Sequence, residues 1–196
     1  GTLQWRVGYD GAAVKFKTAA APEAGELHLH GGTATFTADA SETDVVNGLT
    51  VGVANVGVWY GNAATAEFTS GAYNFTTLNV GRWSNAGTVN INGGTVYAGT
   101  IWNGVTNGDT GATTAGSVTL TSGELKLGAG GIFSDPAGTF TIAGGTLTAT
   151  ASTGWLVNGT AMVVNGGTIN TDYDVTILSA LTGSGTLTKT DRKSVV

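Results

Sequence analysis

A short glycine-centred unit recurs along this chain, and that recurrence limits the folds open to it more than any single side chain does. The units read LHLHGGT (27–33), EFTSGAY (67–73), VNINGGT (89–95), VTLTSGE (118–124), FTIAGGT (140–146) and VVNGGTI (163–169). Anchored on Gly32, Gly71, Gly94, Gly123, Gly145 and Gly167, they lie 39, 23, 29, 22 and 22 residues apart. A period in this range is the mark of a solenoid, in which each repeat is one supersecondary unit stacked on the next.

Within the units apolar and polar residues alternate: Leu27 and Leu29 with His28 and His30, Val89 and Ile91 with Asn90 and Asn92, Phe140 and Ile142 with Thr141. Period two predicts strands with one buried face. The glycines that follow predict corners, because glycine reaches backbone angles closed to other residues. A second short strand leaves each corner, as in Thr95-Val96-Tyr97 and Thr146-Leu147-Thr148. A further segment pairs an aromatic with Asn or Asp: Trp59 with Asn62, Trp83 with Asn85, Trp102 with Asn103, Phe133 with Asp135, Trp155 with Asn158. Asn tolerates corner conformations, and stacked Asn side chains bond up a ladder.

The long intervals are expected to hold insertions. Leu49-Thr50-Val51-Gly52 resembles Leu78-Asn79-Val80-Gly81, which places extra residues around Thr37 to Gly48 and Val53 to Val58. The polar, Gly-rich stretch from Val105 to Ala115 accounts for the 29-residue interval. Corner insertions project as loops and leave the stack intact. Residues 1–26 fit the repeat poorly and are expected to form a divergent coil or cap; 27–190 carry the repeats. The final six residues, DRKSVV, break the pattern and look like translated sequencing-adapter DNA, so 191–196 read as a non-native tail.

Composition narrows the function classes. Eight basic residues scattered in a chain of net charge −5 form no phosphate-binding footprint, which argues against nucleic acid. No apolar run reaches the length of a membrane-spanning helix, so no membrane insertion by this segment is expected. With no Cys, disulfides and thiolate metal sites are excluded.

The stretch GSGTLTKT (183–190) closely resembles the start of the autotransporter-associated β-strand repeat of large bacterial surface and secreted proteins, although Asp191 stands where that motif continues with Gly. LNVGRWSNAGTVNINGGTV (78–96) is also similar to the glycine-rich repeats of such proteins. The resemblance covers most of 27–190. It implies an all-β, right-handed parallel β-helix, in keeping with the handedness of parallel crossovers. With the period, that gives about six coils of roughly 22 residues, one stretch of a longer exported array at the bacterial cell surface or outside the cell.

Chemistry-bearing clusters are few. Glu26, His28 and His30 share one strand parity and have the donor types of a transition-metal site, but no fourth ligand accompanies them, and a polar outer face is the expectation. Asp39, Glu42 and Asp44 offer oxygen ligands for calcium at a spacing that matches no calcium-loop motif; Asn107 and Asp109 form a weaker set. Asp172 and Asp174 have no acidic companion one repeat away, and Arg82 has none nearby in sequence, so neither a glycosidase pair nor a lyase site is expected. Trp83, Trp102 and Trp155 would stack sugars if they faced outward; one aromatic per coil is expected to pack inside. Two His in one strand supply no distributed triad.

The expected function is therefore that of a non-catalytic structural or adhesive passenger-type segment, a stalk or display scaffold with no catalytic, cofactor or metal residues assigned. Its partners would be surface glycans or other cell-surface proteins, met through the loops at 37–48 and 105–115. The alternative from another class is a carbohydrate-active β-helix, whether lyase, hydrolase or glycan-binding module.

Overall fold

Strict alternation of large apolar with small polar side chains gives each strand one face that seeks a core. A computed structural model describes residues 26–37, 48–58, 62–82, 85–105, 114–135, 137–157 and 161–190. Among these the regular structure is all strand: β1 (Glu26–Leu29), β2 (Gly32–Phe36), β3 (Gly48–Val58), β4 (Ala64–Phe68), β5 (Ala72–Arg82), β6 (Gly87–Val105), β7 (Gly116–Ser134), β8 (Gly138–Ile142), β9 (Thr146–Ala149), β10 (Thr153–Val157), β11 (Met162–Val164), β12 (Gly167–Thr171), β13 (Val175–Ile177), β14 (Leu181–Thr182) and β15 (Leu187–Lys189). Every pairing between them is parallel. The result is a large parallel sheet consistent with a β-solenoid.

The pairings fall into three ladders. Face A stacks β2, β4, the start of β6, the start of β7, β8, β11 and β14. Face B stacks the start of β3, the start of β5, the middle of β6 and β7, then β9, β12 and β15. Face C stacks β1, the ends of β3, β5, β6 and β7, then β10 and β13.

Core positions recur in columns whose volumes offset each other. On face A one column runs Phe36, Phe68, Ile91, Leu120, Ile142, Val164, and shrinks along the stack. Two residues earlier in each strand, Ala34, Ala66, Val89, Val118, Phe140, Met162 grows. All twelve are buried. At the first two rungs phenylalanine in one column lies beside alanine in the other, whereas at the fifth Phe140 lies beside Ile142, so the columns trade bulk without a fixed pairing. At the early rungs the large members form an aromatic cluster: Phe36 stacks on Phe68 at 4.8 Å, and Tyr73 packs against both at 5.7 and 4.8 Å.

Two glycine corners turn the chain. Gly71, Gly94, Gly123, Gly145 and Gly167 all have positive φ and lie between faces A and B. A Cβ on Gly94, Gly123 or Gly145 would press on the glycine carbonyl one rung below. Gly32 does not belong to this column. It pairs with Ala64 on face A and sits at the opposite corner, between faces C and A; LHLHGGT mimics VNINGGT because both corners follow an alternating strand with glycine. The alignment of Leu49-Thr50-Val51-Gly52 with Leu78-Asn79-Val80-Gly81 also fails. The partner of Leu78-Asn79-Val80 is Ala54-Asn55-Val56, and Leu49 pairs with Tyr73. Val53 to Val58 is thus core strand, not insertion. Ala54 beneath Leu78 hid the match, since the core accepts a small residue under a large one. Of the expected insertion at 37–48, residues 38–47 fall outside the described residues, as do 106–113 of the stretch 105–115; both lie between strands of successive faces.

Side-chain hydroxyls at the corners bind the neighbouring rung. Thr69 Oγ1 donates to the Phe36 carbonyl at 3.0 Å, Thr114 Oγ1 to Gly81 at 2.9 Å and Thr150 Oγ1 to Leu127 at 2.9 Å. This gives the abundant Thr a structural use beyond strand propensity.

Gly81 has φ +63, and a Cβ there would collide with the Ala115 carbonyl. Gly81→Ala is expected to cost ~2–4 kcal/mol, and Leu120→Ala a similar ~2–5 kcal/mol. Thr176→Ala, at an exposed strand position, should stay within about 0.5 kcal/mol. Urea unfolding followed by circular dichroism measures all three.

Candidate functional site

The outward column of face C holds the most varied chemistry among the described residues. His28 pairs with Asn55, Asn55 with Asn79, Asn79 with Trp102 and Trp102 with Phe133. These side chains alternate with the core column Leu27, Ala54, Leu78, Ile101, Ile132. Even so, His28, Asn55 and Asn79 are 2%, 2% and 1% exposed, and buried polar groups require partners.

The partners are one another. Arg82 Nη1 donates to Asn79 Oδ1 at 3.3 Å, and Asn79 Nδ2 donates to Asn55 Oδ1 at 2.7 Å. Asn55 Nδ2 points to His28 Nδ1 at 3.5 Å, which fits an imidazole protonated at Nε2. All donors run toward the histidine, so the guanidinium at one end sets the polarity of the ladder. Burial pulls the Arg82 pKa down. His30 stacks on His28, with ring centroids 5.7 Å apart.

The column then changes from amide to aromatic. Trp102 and Phe133 are half-buried and stacked at 4.5 Å. Trp102 therefore lies opposite the core residue Ile101, contrary to the expectation that the repeated aromatics pack inside. Trp155 falls in a different column, paired with Ile132; Trp59 and Trp83 lie outside the described residues. The aromatic–Asn motif is not one structural position, because corners of different length shift its phase.

Asn103 does not join the outward ladder either. It follows Val80 in an inward column and precedes Ser134. Its Nδ2 donates to the Thr139 carbonyl at 2.8 Å, while Oδ1 is buried without a hydrogen-bond partner. A Cβ on Gly116 would strike that oxygen, so glycine at 116 makes room for the amide. The two amides that form the ladder, Asn55 and Asn79, each sit two residues after their strands enter face C at Val53 and Thr77; their spacing of 24 residues is the signal the sequence offers.

Among the described residues no three His, Asp or Glu side chains converge as a metal ligand set. His28 and His30 face the ladder and each other. Asp39, Glu42, Asp44, Asn107 and Asp109 lie outside the described residues. Asp172 and Asp174 are exposed where β12 leads toward β13. Glu124 is held by Lys126 Nζ at 3.3 Å and by the Thr148 hydroxyl at 2.7 Å. No helix among the described residues is long and apolar enough to cross a membrane.

No family model matches the chain, and no characterised protein or solved structure matches it.

Two tests follow from these contacts. Asn79→Ala removes an acceptor and a donor at once and should cost ~1–3 kcal/mol, with a double-mutant cycle against Asn55→Ala giving nonzero coupling in urea unfolding. Burial pushes the Tyr73 hydroxyl up from 10.0 to about 12, while its proton bonds the Ser70 carbonyl at 2.7 Å. A raised folded-state value means stability is complete below pH ~10 and is lost as pH rises toward ~12. The urea midpoint should fall across that window, and Tyr73→Phe should flatten the fall.

Proposed function

We propose that this chain is a non-catalytic β-solenoid stretch of an exported bacterial surface protein, serving as a rigid stalk or display scaffold. The reading includes right-handed winding through about six coils of roughly 22 residues and membership of the autotransporter-associated repeat class. The observation that carries it is the continuity of the core column Phe36, Phe68, Ile91, Leu120, Ile142, Val164 through successive rungs. A stack bonded rung to rung resists bending and shear, because displacing one strand breaks hydrogen bonds to both neighbours. Each ladder holds seven strands among the described residues, one more than the six glycine anchors, and at ~4.8 Å per rung this stack extends on the order of 30 Å. The motif GSGTLTKT adds the surface-protein class, and the low charge of the chain fits a role that needs no ionic partner.

The function in this reading is mechanical and presentational. Segments inserted at corners, such as 38–47 and 106–113, are the points where recognition of glycans or neighbouring proteins would be added without altering the stack. Replacing residues 106–113 with a short Gly-Ser turn is therefore expected to leave the urea midpoint nearly unchanged, since loop-length changes cost little. Release of oligosaccharides from neutral or uronic-acid polysaccharides by the purified chain would overturn the scaffold reading, as would a large loss of stability on removing 106–113.

A further inference from the structure

The last coil, β13 to β15, leaves the core unfinished. On face A the inward column Phe140, Met162 continues into Leu181. Phe140 and Met162 are fully buried, whereas Leu181 is 51% exposed. On faces B and C the inward residues Leu187 and Ile177 are half-buried and pack on the core from one side. Among the described residues β13, β14 and β15 each pair with one strand only. An inward apolar position that solvent reaches, on a strand with an open edge, accepts one more rung.

Two inward positions that are not apolar select what that rung is. On face B the column Val96, Leu125, Leu147, Ile169 ends in Lys189. On face A the position after Thr182, next to Val164, is Gly183, where a Cβ would collide with the Val164 carbonyl. A further parallel coil with the inward pattern of those below would set apolar side chains on the Lys189 ammonium and over a glycine that offers nothing to pack on. Burying a charge in that way is costly.

A second copy turned end to end fits the same surface. Strands β13, β14 and β15 follow one another around one turn of the stack, so β15 stands above β14 by the fraction of a rung that β13 stands below it. A two-fold axis through β14, perpendicular to the stack, lays β14 on the partner's β14 and β15 on the partner's β13. The higher strand then meets the lower one, and all three pairings close at one spacing. They are antiparallel, the slightly more stable ladder. In this arrangement Leu181 lies beside the partner's Leu181, and Leu187 beside the partner's Ile177. Lys189, at the end of β15, reaches the corner that leads into the partner's β13, which carries the partner's Asp172 and the partner's Asp174. The Thr171 hydroxyl fixes that corner, donating to the Tyr173 carbonyl at 2.8 Å and accepting from the Tyr173 N–H at 3.0 Å.

We propose that the last coil is a self-association surface through which two copies of this chain join end to end about a two-fold axis, doubling the length of the stack. Such an interface is self-complementary and closed at two copies. The contact goes beyond the scaffold role and does not depend on it, because it uses only the register and side chains of the last coil.

Sedimentation velocity and light scattering of the full chain across micromolar concentrations should show monomer and dimer without larger species. Leu181→Lys sets like charges together at the axis, and Lys189→Glu adds to the carboxylates of the facing corner; each should weaken dimerisation about tenfold or more. Thr119→Lys on face A should leave it unchanged. Circular dichroism and urea midpoints confirm that each variant folds. The chain has no Cys, so Leu181→Cys supplies a single thiol, and mild oxidation should link two copies through it. A chain that stays monomeric at its highest soluble concentration would overturn the proposal and leave the scaffold role untouched. An open series of larger oligomers would overturn the two-fold arrangement, as would a dimer that Leu181→Lys leaves intact or that Leu181→Cys fails to link.

Discussion

Parallel backbone hydrogen bonding between equivalent strands is the constraint from which the remaining order of this molecule follows. Each strand finds its partner about one repeat away, so like positions lie over like. The corner glycines line up because each carries the chain past the same obstruction, the carbonyl of the rung below. Core side chains form columns because register brings them together. Threonine hydroxyls at the corners bind carbonyls of adjacent rungs for the same reason. A lone repeat would have none of these partners, and ordering its backbone would go uncompensated.

Register constrains position more tightly than identity. Face A takes phenylalanine in one column at its early rungs and in the neighbouring column at Phe140, with the adjacent residue changing to match. The interior accepts either arrangement as long as the inward positions stay apolar. The corners are freer still. Between faces B and C a single residue joins Ala98 to Thr100, whereas three residues, Gly128-Ala129-Gly130, separate their partners Leu127 and Gly131. The wider bend leaves the ladders on either side in register, so a corner absorbs length that a strand cannot.

The same physics sets how much was legible beforehand. Alternation revealed the strands, and the glycines at 71, 94, 123, 145 and 167 revealed one corner column. Gly32 was misplaced because both glycine corners follow alternating strands, and nothing local to LHLHGGT distinguishes them. The partnership of Ala54-Asn55-Val56 with Leu78-Asn79-Val80 was obscured by volume compensation, since identity of side chain at 49 and 78 was a poorer guide than depth in the stack. An Asn ladder was foreseeable, but its members were not: Asn103 shares the aromatic motif yet turns inward, while Asn55 and Asn79 face out and bond.

Because inward positions alone determine register, outward positions are open to specialise face by face. Face C spends them on a buried amide ladder polarised by Arg82 and continued by a Trp–Phe stack. Face B carries an ion pair. Face A repeats small hydroxyl residues with a single charge. In an ordinary sheet such a repeat would be only compositional. In a stack whose rungs are held at one spacing, repetition in sequence becomes repetition in space, so that each face is a set of columns fixed by the register of the strands beneath it.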